Sequence, residues 1–190
     1  MLFAVRIGQV AKLSSESWWV ALILAGLSIF AAGQSAQAFE LQSTVFSPGA
    51  EIPVKHTCDG QDVSPALRWT DPPTGTKGLA LVSDDPDAPG GTWVHWVLYG
   101  IPPSVKNLPE AVPSRDTVPG VGRQGINDFG RVGYGGPCPP RGPEHRYFFT
   151  LYALDAEITL PPRSSKEDLL KAIEGHVLGR AEVMVHYRRR

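Results

Sequence analysis

The stretch GGPCPPRGPEHRY at residues 135–147 runs directly into FFTLYALD at residues 148–155. A Pro/Gly-rich loop therefore enters an apolar strand. Because side chains two residues apart share one face of a strand, His145 and Tyr147 should point the same way at the mouth of this strand. Phe149 and Leu151 should follow them into the core. Two polar rings under a rigid loop predict a small preformed pocket.

A second block joins a proline-rich turn to an aromatic strand. DPDAP at residues 85–89 is followed closely by WVHW at residues 93–96. Strict alternation would put Trp93 and His95 on one strand face together with Val97 and Tyr99. Neither face is polar, which is typical of a central strand that is covered on both sides. Taken alone, Asp87 is explained by a turn in which its carboxylate accepts backbone N–H groups.

The rest of the chain has the pattern of an all-β domain. Short apolar runs rich in β-branched and aromatic residues alternate with Pro/Gly turn signals, which indicates antiparallel sheets packed as a sandwich. The predicted strands are Leu41–Phe46, Ala66–Trp69, Gly78–Val82, Thr92–Ile101, Arg146–Leu154 and Ala181–Tyr187. Residues 102–136 show little periodicity and are interpreted as a long ordered excursion that ends by building the pocket.

One C-terminal helix is predicted after this strand series. Ser164 and Glu167 have capping-box spacing. An apolar stripe follows, and Gly179 is expected to end the helix. The stripe consists of Leu169, Leu170, Ile173 and Val177. The predicted fold is thus mostly β, an antiparallel sandwich with one helix and long Pro/Gly-rich loops.

The two motif blocks together resemble the phosphatidylethanolamine-binding protein family, in the bacterial and archaeal branch that includes the Raf kinase inhibitor-like proteins. TCDG at residues 57–60 and Ser64-Pro65 extend the resemblance over nearly all of residues 39–190. The resemblance implies an antiparallel β-sandwich with a small anion pocket for phosphate or phosphoethanolamine-like head groups. Carried over residue by residue, it assigns pocket roles to Asp85, Pro89, Trp93, His95, Gly136, His145 and Tyr147.

The resemblance implies a binding or regulatory module rather than an enzyme. Imidazole and phenol groups can donate to an oxyanion. Asp85 would either orient a histidine tautomer or be neutral with a raised pKa. The expected partners are a small phosphorylated anion or phospholipid head group, and an enzyme, a kinase or a protease, that the module inhibits. The alternative is a hydrolase using the same histidine, aspartate and tyrosine set. We expect no cofactor, no metal and no catalytic residue.

Residues 1–38 are interpreted as a secretory signal peptide. Arg6 and Lys12 precede an apolar run over residues 18–32, and Ala36-Gln37-Ala38 provides a cleavage site of small residues. The rival interpretation is an uncleaved membrane anchor, but the run is shorter than the roughly 20 residues that a spanning helix prefers. Residues 39–190 then form one domain in a periplasmic or secreted protein.

Charge and cysteine usage narrow the remaining possibilities. The formal net charge of −1 argues against nucleic acid as a partner. Cys58 and Cys138 are the only cysteines. An even count in an exported protein predicts a disulfide between them, and the alternative is two unpaired small residues. Their spacing fits no zinc motif.

Overall fold

The computed structural model describes residues 38–190. Apart from Ala38, the predicted signal peptide lies outside the described residues. Within residues 38–190, no helix has both the length and the apolar character needed to cross a membrane.

Nine strands and one α-helix form the described part of the chain. The turn signals separate the strands as the sequence indicates, and several strands are longer or shorter than predicted because pairing, not composition, sets where a strand ends. The elements are β1 (Leu41–Ser43), β2 (Leu67–Trp69), β3 (Gly78–Asp85), β4 (Trp93–Ile101), β5 (Asn107–Leu108), β6 (Thr117–Val118), β7 (Gly122–Gln124), β8 (His145–Leu154), α1 (Lys166–Ala172) and β9 (Val177–Tyr187). A short 3-10 helix covers Val54–His56.

The strands form two antiparallel sheets. A three-stranded sheet has the order β1-β2-β5, and a six-stranded sheet has the order β6-β7-β4-β3-β8-β9. Apolar side chains of both sheets, such as Leu67 and Trp69 from one and Trp96 and Phe149 from the other, form one core between them. This arrangement confirms the predicted antiparallel sandwich.

The helix covers the outer face of the large sheet. Leu169 and Ile173 pack there against Val97 and Tyr99 in a second, smaller core. Amphipathic packing of this kind explains why the central strands are buried on both faces.

The predicted ends of the helix were wrong at both sides. The cap is Ser165 rather than Ser164, and it forms a capping box with Asp168 rather than Glu167. The helix ends at Ala172, and Val177 already begins β9. The helix therefore cannot run on to Gly179, which lies inside that strand. Gly175, with a φ of 78°, supplies the reversal that the sequence interpretation placed later.

An irregularity in β4 changes which face His95 occupies. The register with β3 shifts between Ser83, which pairs with Trp96, and Asp84, which pairs with Val94, so His95 is an extra residue. Val94 packs with Val97 and Tyr99 under the helix. The predicted face shared by His95, Val97 and Tyr99 is therefore wrong, because the bulge turns His95 towards the inter-sheet side, where its ring contacts Tyr147.

The excursion over residues 102–136 is ordered and contributes three strands. β5 joins the small sheet, while β6 and β7 form a hairpin at one edge of the large sheet. Gly120, Gly122 and Gly125 have the G-x-G-x-x-G spacing of a dinucleotide-binding loop, but they lie at this hairpin and lack the following helix that such a site requires. The excursion then returns to β4, where Asp128 accepts a hydrogen bond from the Val94 N–H at 2.7 Å.

Cys58 and Cys138, which are 80 positions apart in the sequence, form a disulfide with their Cα atoms 5.3 Å apart. The bridge joins the loop after the 3-10 helix to the Pro/Gly-rich loop before β8. The N–H of Cys58 also donates to the carbonyl of Pro137 at 3.1 Å. The loop that enters β8 is therefore fixed to a second part of the chain.

Candidate functional site

The two sequence blocks meet at one end of the large sheet. Asp85 ends β3, Trp93 begins β4 and His145 begins β8. Because β4 and β8 are the antiparallel neighbours of β3, these termini lie at the same end of the sheet, where they surround a cavity of about 180 Å³. The lining residues are Asp85, Ala88, Pro89, Trp93, His95, Phe129, Cys138, Pro139, Pro140 and His145.

Asp85 and His145 form a buried pair in the wall of this cavity. The Nδ1 of His145 lies 2.8 Å from the Oδ2 of Asp85, and both side chains are 4% exposed. The other oxygen of Asp85 accepts the N–H of Asp87 at 2.8 Å. Of the two roles that the sequence left open for Asp85, this geometry is that of an acceptor that orients a histidine.

His95 also lines the cavity and is held by the loop before β8. Its Nδ1 lies 2.6 Å from the carbonyl oxygen of Gly135, and the Gly135 N–H donates back to the His95 carbonyl at 2.9 Å. Burial lowers the pKa of His95, although the Gly135 carbonyl and the Asp85 carboxylate act in the opposite direction. The ring is therefore neutral at physiological pH.

Tyr147 shares the strand face of His145, as predicted, but it does not line the cavity. Its ring lies behind His95, with centroids 5.2 Å apart. Its hydroxyl is buried and has no hydrogen-bond partner within residues 38–190. Burial, together with the Asp85 carboxylate, raises the pKa of Tyr147 well above its ordinary value, so the phenol keeps its proton.

Gly136 is the other predicted pocket residue that does not line the cavity, and its role is structural. Its N–H donates to the Oδ1 of Asp62 at 2.6 Å. A Cβ at this position would lie 2.4 Å from the carbonyl oxygen of His56. Only glycine permits this approach, so Gly136 sets the path of the cavity loop rather than the shape of the cavity itself.

Aromatic side chains form the mouth of the cavity. Trp93 is 38% exposed, and its ring meets that of Phe129 edge-on at 5.4 Å. The guanidinium of Arg131 lies over the other side of Phe129, 5.3 Å from its centroid. Sequence reasoning missed Phe129, because an aromatic residue within an aperiodic segment gives no signal of where the chain will return. It also missed Ala88, Cys138, Pro139 and Pro140, although all four stand inside the quoted motifs.

Asp87 belongs to the support of the site. Its carboxylate accepts hydrogen bonds from the backbone N–H and the side chain of Arg146, at 2.7–2.9 Å. The Arg146 hydrogen bond lowers the pKa of Asp87 to about 2. This carboxylate thus fastens the 85–89 turn to β8, in agreement with the turn interpretation.

The described residues contain no group of three histidine, cysteine, aspartate or glutamate side chains arranged to hold a metal ion. A larger cavity, of about 440 Å³, lies at the opposite end of the large sheet, beside Gly78, Gly100 and Leu154. None of the seven predicted site residues reaches it.

Comparisons with known proteins agree with the fold and the motifs. The sequence model described as "Phosphatidylethanolamine-binding protein" matches residues 42–188. A UPF0098 protein of Methanothermobacter thermautotrophicus is 51% identical over 149 residues, covering 78% of this chain and 98% of the relative. A UPF0098 protein of Aquifex aeolicus is 47% identical over 169 residues, covering 88% and 97% of the two chains.

Two crystal structures share the fold. The Chlamydia trachomatis protein CT736, a phosphatidylethanolamine-binding protein homologue, superposes with a TM-score of 0.73 at 39% identity, over 80% of this chain and 99% of CT736. Escherichia coli YbcL is described as a new member of the mammalian phosphatidylethanolamine-binding protein family. It superposes with a TM-score of 0.74 at 34% identity, over 80% of this chain and 99% of YbcL.

Proposed function

This chain belongs to the phosphatidylethanolamine-binding protein family, and from that premise we propose that its cavity of about 180 Å³ binds a small oxyanion. Phosphate and phosphoethanolamine-like head groups are the ligands of the right class. The volume suits a head group, since pockets for drug-sized molecules span roughly 300–1,000 Å³. Acyl chains would lie outside it.

The buried Asp85–His145 pair is the observation that carries this proposal. An ionisable pair that is 4% exposed costs desolvation energy, and such pairs concentrate at functional sites. Here the pair lines a cavity together with a second histidine and with residues of a loop that is fixed by a disulfide. The site is therefore preorganised, which lowers the entropic cost of binding a small ligand.

Calorimetric titration with phosphoethanolamine tests the proposal. Truncation of His145 to alanine should weaken binding roughly 10- to 150-fold, the equivalent of losing one charge-assisted hydrogen bond of about 1.5–3 kcal/mol. Arg123→Ala is the matched control, because Arg123 lines the larger cavity at the opposite end. Binding that is weakened by Arg123→Ala and untouched by His145→Ala would move the anion site to that end.

A hydrolase is the second candidate, and the same pair favours it. A carboxylate that holds Nδ1 of a histidine is the arrangement used to orient a general base. The cavity lining includes no serine or threonine, and Cys138 is engaged in the disulfide, so water would have to be the nucleophile. Turnover of a phosphate ester that disappears in His145→Ala would establish this function; binding without turnover would exclude it.

We further propose that residues 1–38 are removed on export and that residues 39–190 act in the periplasm or outside the cell. The basic residues, the short apolar run and the Ala36-Gln37-Ala38 site support this. Mass spectrometry of the exported fraction should find a chain that begins at Phe39. A full-length product held in the membrane would favour the anchor instead.

An inhibitory role towards a kinase or a protease is proposed on family resemblance alone. A protease would bind to a surface loop, so its inhibition would not depend on the cavity. Inhibition of a partner that recognises the head group would change when the cavity is occupied. Inhibition assays with and without saturating phosphoethanolamine separate the two. Absence of inhibition in both assays would leave small-ligand binding as the whole function.

A further inference from the structure

The cavity offers an anion very little positive charge. None of its lining residues is lysine or arginine, and Asp85 contributes a carboxylate. Three of the lining residues are Pro89, Pro139 and Pro140, which have no backbone N–H to donate. Apart from the two histidine rings, the lining offers an oxyanion only neutral donors, such as the Trp93 indole and the N–H groups of Ala88 and Cys138.

The two histidines are locked in a tautomer that adds no donor to the cavity. The Nδ1 of His145 faces a carboxylate oxygen at 2.8 Å, and the Nδ1 of His95 faces a carbonyl oxygen at 2.6 Å. Carbonyl and carboxylate oxygens only accept, so Nδ1 carries the hydrogen in each ring. In a neutral imidazole, the Nε2 atom is then an acceptor.

The Nε2 atoms are the remaining polar atoms of these rings. Neither forms a hydrogen bond within residues 38–190, and neither is among the polar atoms sealed from solvent. Since both rings line the cavity, the two neutral histidines present acceptors to a ligand. At these two ring atoms an oxyanion would meet lone pairs rather than donors.

We propose that an oxyanion enters this cavity together with one proton, which is held on Nε2 of His145 and donated from there to the ligand. This inference rests on the function proposed above. Protonation turns the repelling acceptor into a charged donor, and the Asp85 carboxylate stabilises the imidazolium from the Nδ1 side. The proton comes from the solvent on binding and returns to it on release, with no covalent change.

The surroundings single out His145 rather than His95. His95 has a neutral carbonyl as its Nδ1 partner, and burial lowers its pKa. The ionisable groups around His145 are Asp85 of β3, Asp87 and Glu144 of the loops, His95 of β4, Arg146 and Tyr147 of β8, and Tyr187 of β9, whose hydroxyl donates to Asp59.

Most of the carboxylates in this set already have a cationic or histidine partner. Asp87 pairs with Arg146, Asp59 with Arg189 and Glu144 with His186. Asp85 differs from them, because its ion-pair partner among the described residues is His145 itself. Of the two cavity histidines, only His145 has a carboxylate as the direct partner of its Nδ1, so the charge of an added proton is best balanced there.

Proton uptake can be measured directly. At pH 8 phosphoethanolamine carries a dianionic phosphate, because the second phosphate pKa is about 6, so the phosphate itself brings no proton into the cavity. Titration calorimetry in two buffers of different ionisation enthalpy should show uptake of about one proton per ligand bound. The affinity should fall roughly tenfold per pH unit between pH 7.5 and 8.5.

Three variants locate the proton. His145→Gln should bring proton uptake close to zero and make the affinity independent of pH, whereas His95→Gln should retain uptake. His176→Gln is the matched control, since His176 holds Asp155 with the same Nδ1–oxygen distance of 2.8 Å but is 47% exposed and outside the cavity. Should His145→Gln not fold, nuclear magnetic resonance of the wild-type histidines at pH 8 should show Nε2 of His145 protonated only in the complex.

The possible failures are distinct. Binding to the wild type without proton uptake and without pH dependence would overturn this inference and leave the proposed function intact. Uptake that persists in His145→Gln would also overturn it, because the proton would then reside elsewhere. No binding of phosphoethanolamine between pH 5.5 and 8.5 would overturn the inference together with the proposed function.

Discussion

The two ends of the large sheet each hold a cavity, and the smaller one holds the buried ionisable groups. At one end, a cavity of about 180 Å³ is walled by Asp85, His95 and His145, all of them buried. At the other end, a cavity of about 440 Å³ is lined mainly by prolines, glycines and aliphatic residues, and its charged residues, Lys77 and Arg123 among them, are exposed.

The difference between the two cavities lies in the cost of their charged groups more than in their volume. Exposed charges at the larger cavity are already solvated and cost nothing to maintain. Buried ionisable groups must be held by specific partners: here the 85–89 turn donates to Asp85, and the loop before β8 holds His95. A desolvation cost of this kind is expected where the ionisable groups take part in binding or catalysis.

The disulfide should give the largest measurable difference between the two ends, because it ties only the loop of the smaller cavity. Closing a loop of 80 residues is worth about 4 kcal/mol in the chain-entropy model. We expect the free energy of unfolding in urea to fall by about that amount in the Cys58→Ser, Cys138→Ser double variant. Two alkylatable thiols in the unreduced, denatured wild type would contradict the bridge itself.

The two His–Asp pairs provide the next test, since they share one geometry and differ in burial. Asp85→Ala removes the acceptor of two donors, His145 Nδ1 and the Asp87 N–H, and should lower the free energy of unfolding by about 3 kcal/mol. Asp155→Ala removes the partner of the exposed His176 and should cost less than about 1 kcal/mol. Equal losses of unfolding free energy in the two variants, measured by chemical denaturation, would show that burial does not distinguish the two His–Asp pairs.

Two buried tyrosines at the end of the sheet that holds the smaller cavity provide a further test, because their hydroxyl groups differ in hydrogen bonding. The Tyr134 hydroxyl donates to the His56 carbonyl at 2.8 Å, so Tyr134→Phe should cost about 1–2 kcal/mol of unfolding free energy. The Tyr147 hydroxyl is buried and makes no hydrogen bond of regular geometry within residues 38–190, so Tyr147→Phe removes a desolvation cost and should leave the protein as stable as the wild type, or more stable by about 1 kcal/mol. A loss in Tyr147→Phe as large as that in Tyr134→Phe would show that its hydroxyl is engaged in solution.

The Asp87–Arg146 pair should give the smallest effect. Because the pKa of Asp87 is lowered to about 2 in the folded protein, the carboxylate contributes stability above its unfolded pKa of about 3.9. That contribution is lost as pH falls from about 4 towards 2. Since Arg146 is 55% exposed, we expect at most about 1 kcal/mol.

Acid denaturation of the wild type and Arg146→Ala should therefore converge near pH 2 and differ at pH 6. Arg123→Ala at the other end is the control, because Arg123 forms no ion pair within residues 38–190, and its difference from the wild type should not vary with pH. Parallel curves for all three proteins would contradict the assigned role of Asp87.

Much of the site could be predicted because its residues stand in two short motifs. Five of the seven predicted residues line the cavity: Asp85, Pro89, Trp93, His95 and His145. Gly136 and Tyr147 do not, since one shapes the loop and the other lies behind His95. Phe129 was unpredictable, because the return of an aperiodic segment depends on contacts formed far away in sequence, such as that between Asp128 and Val94.

The sequence by itself determined the elements whose cause is local. Alternating apolar runs between Pro/Gly turns specify antiparallel strands, and the 135–147 loop leads into β8 with His145 and Tyr147 on one face, because pleating is a property of the chain alone. The family followed from the same motifs, since they hold their residues at fixed spacing.

The tertiary structure decided what depends on pairing between distant segments. The bulge that turns His95 towards Tyr147 arises from the register between β3 and β4, which no alternation pattern in one strand can reveal. The C-terminal end of the helix was set likewise by the start of β9, because Val177 pairs with Leu154 of β8. The Asp85–His145 hydrogen bond joins residues 60 positions apart, and it exists because antiparallel pairing brings the end of one strand beside the start of its neighbour.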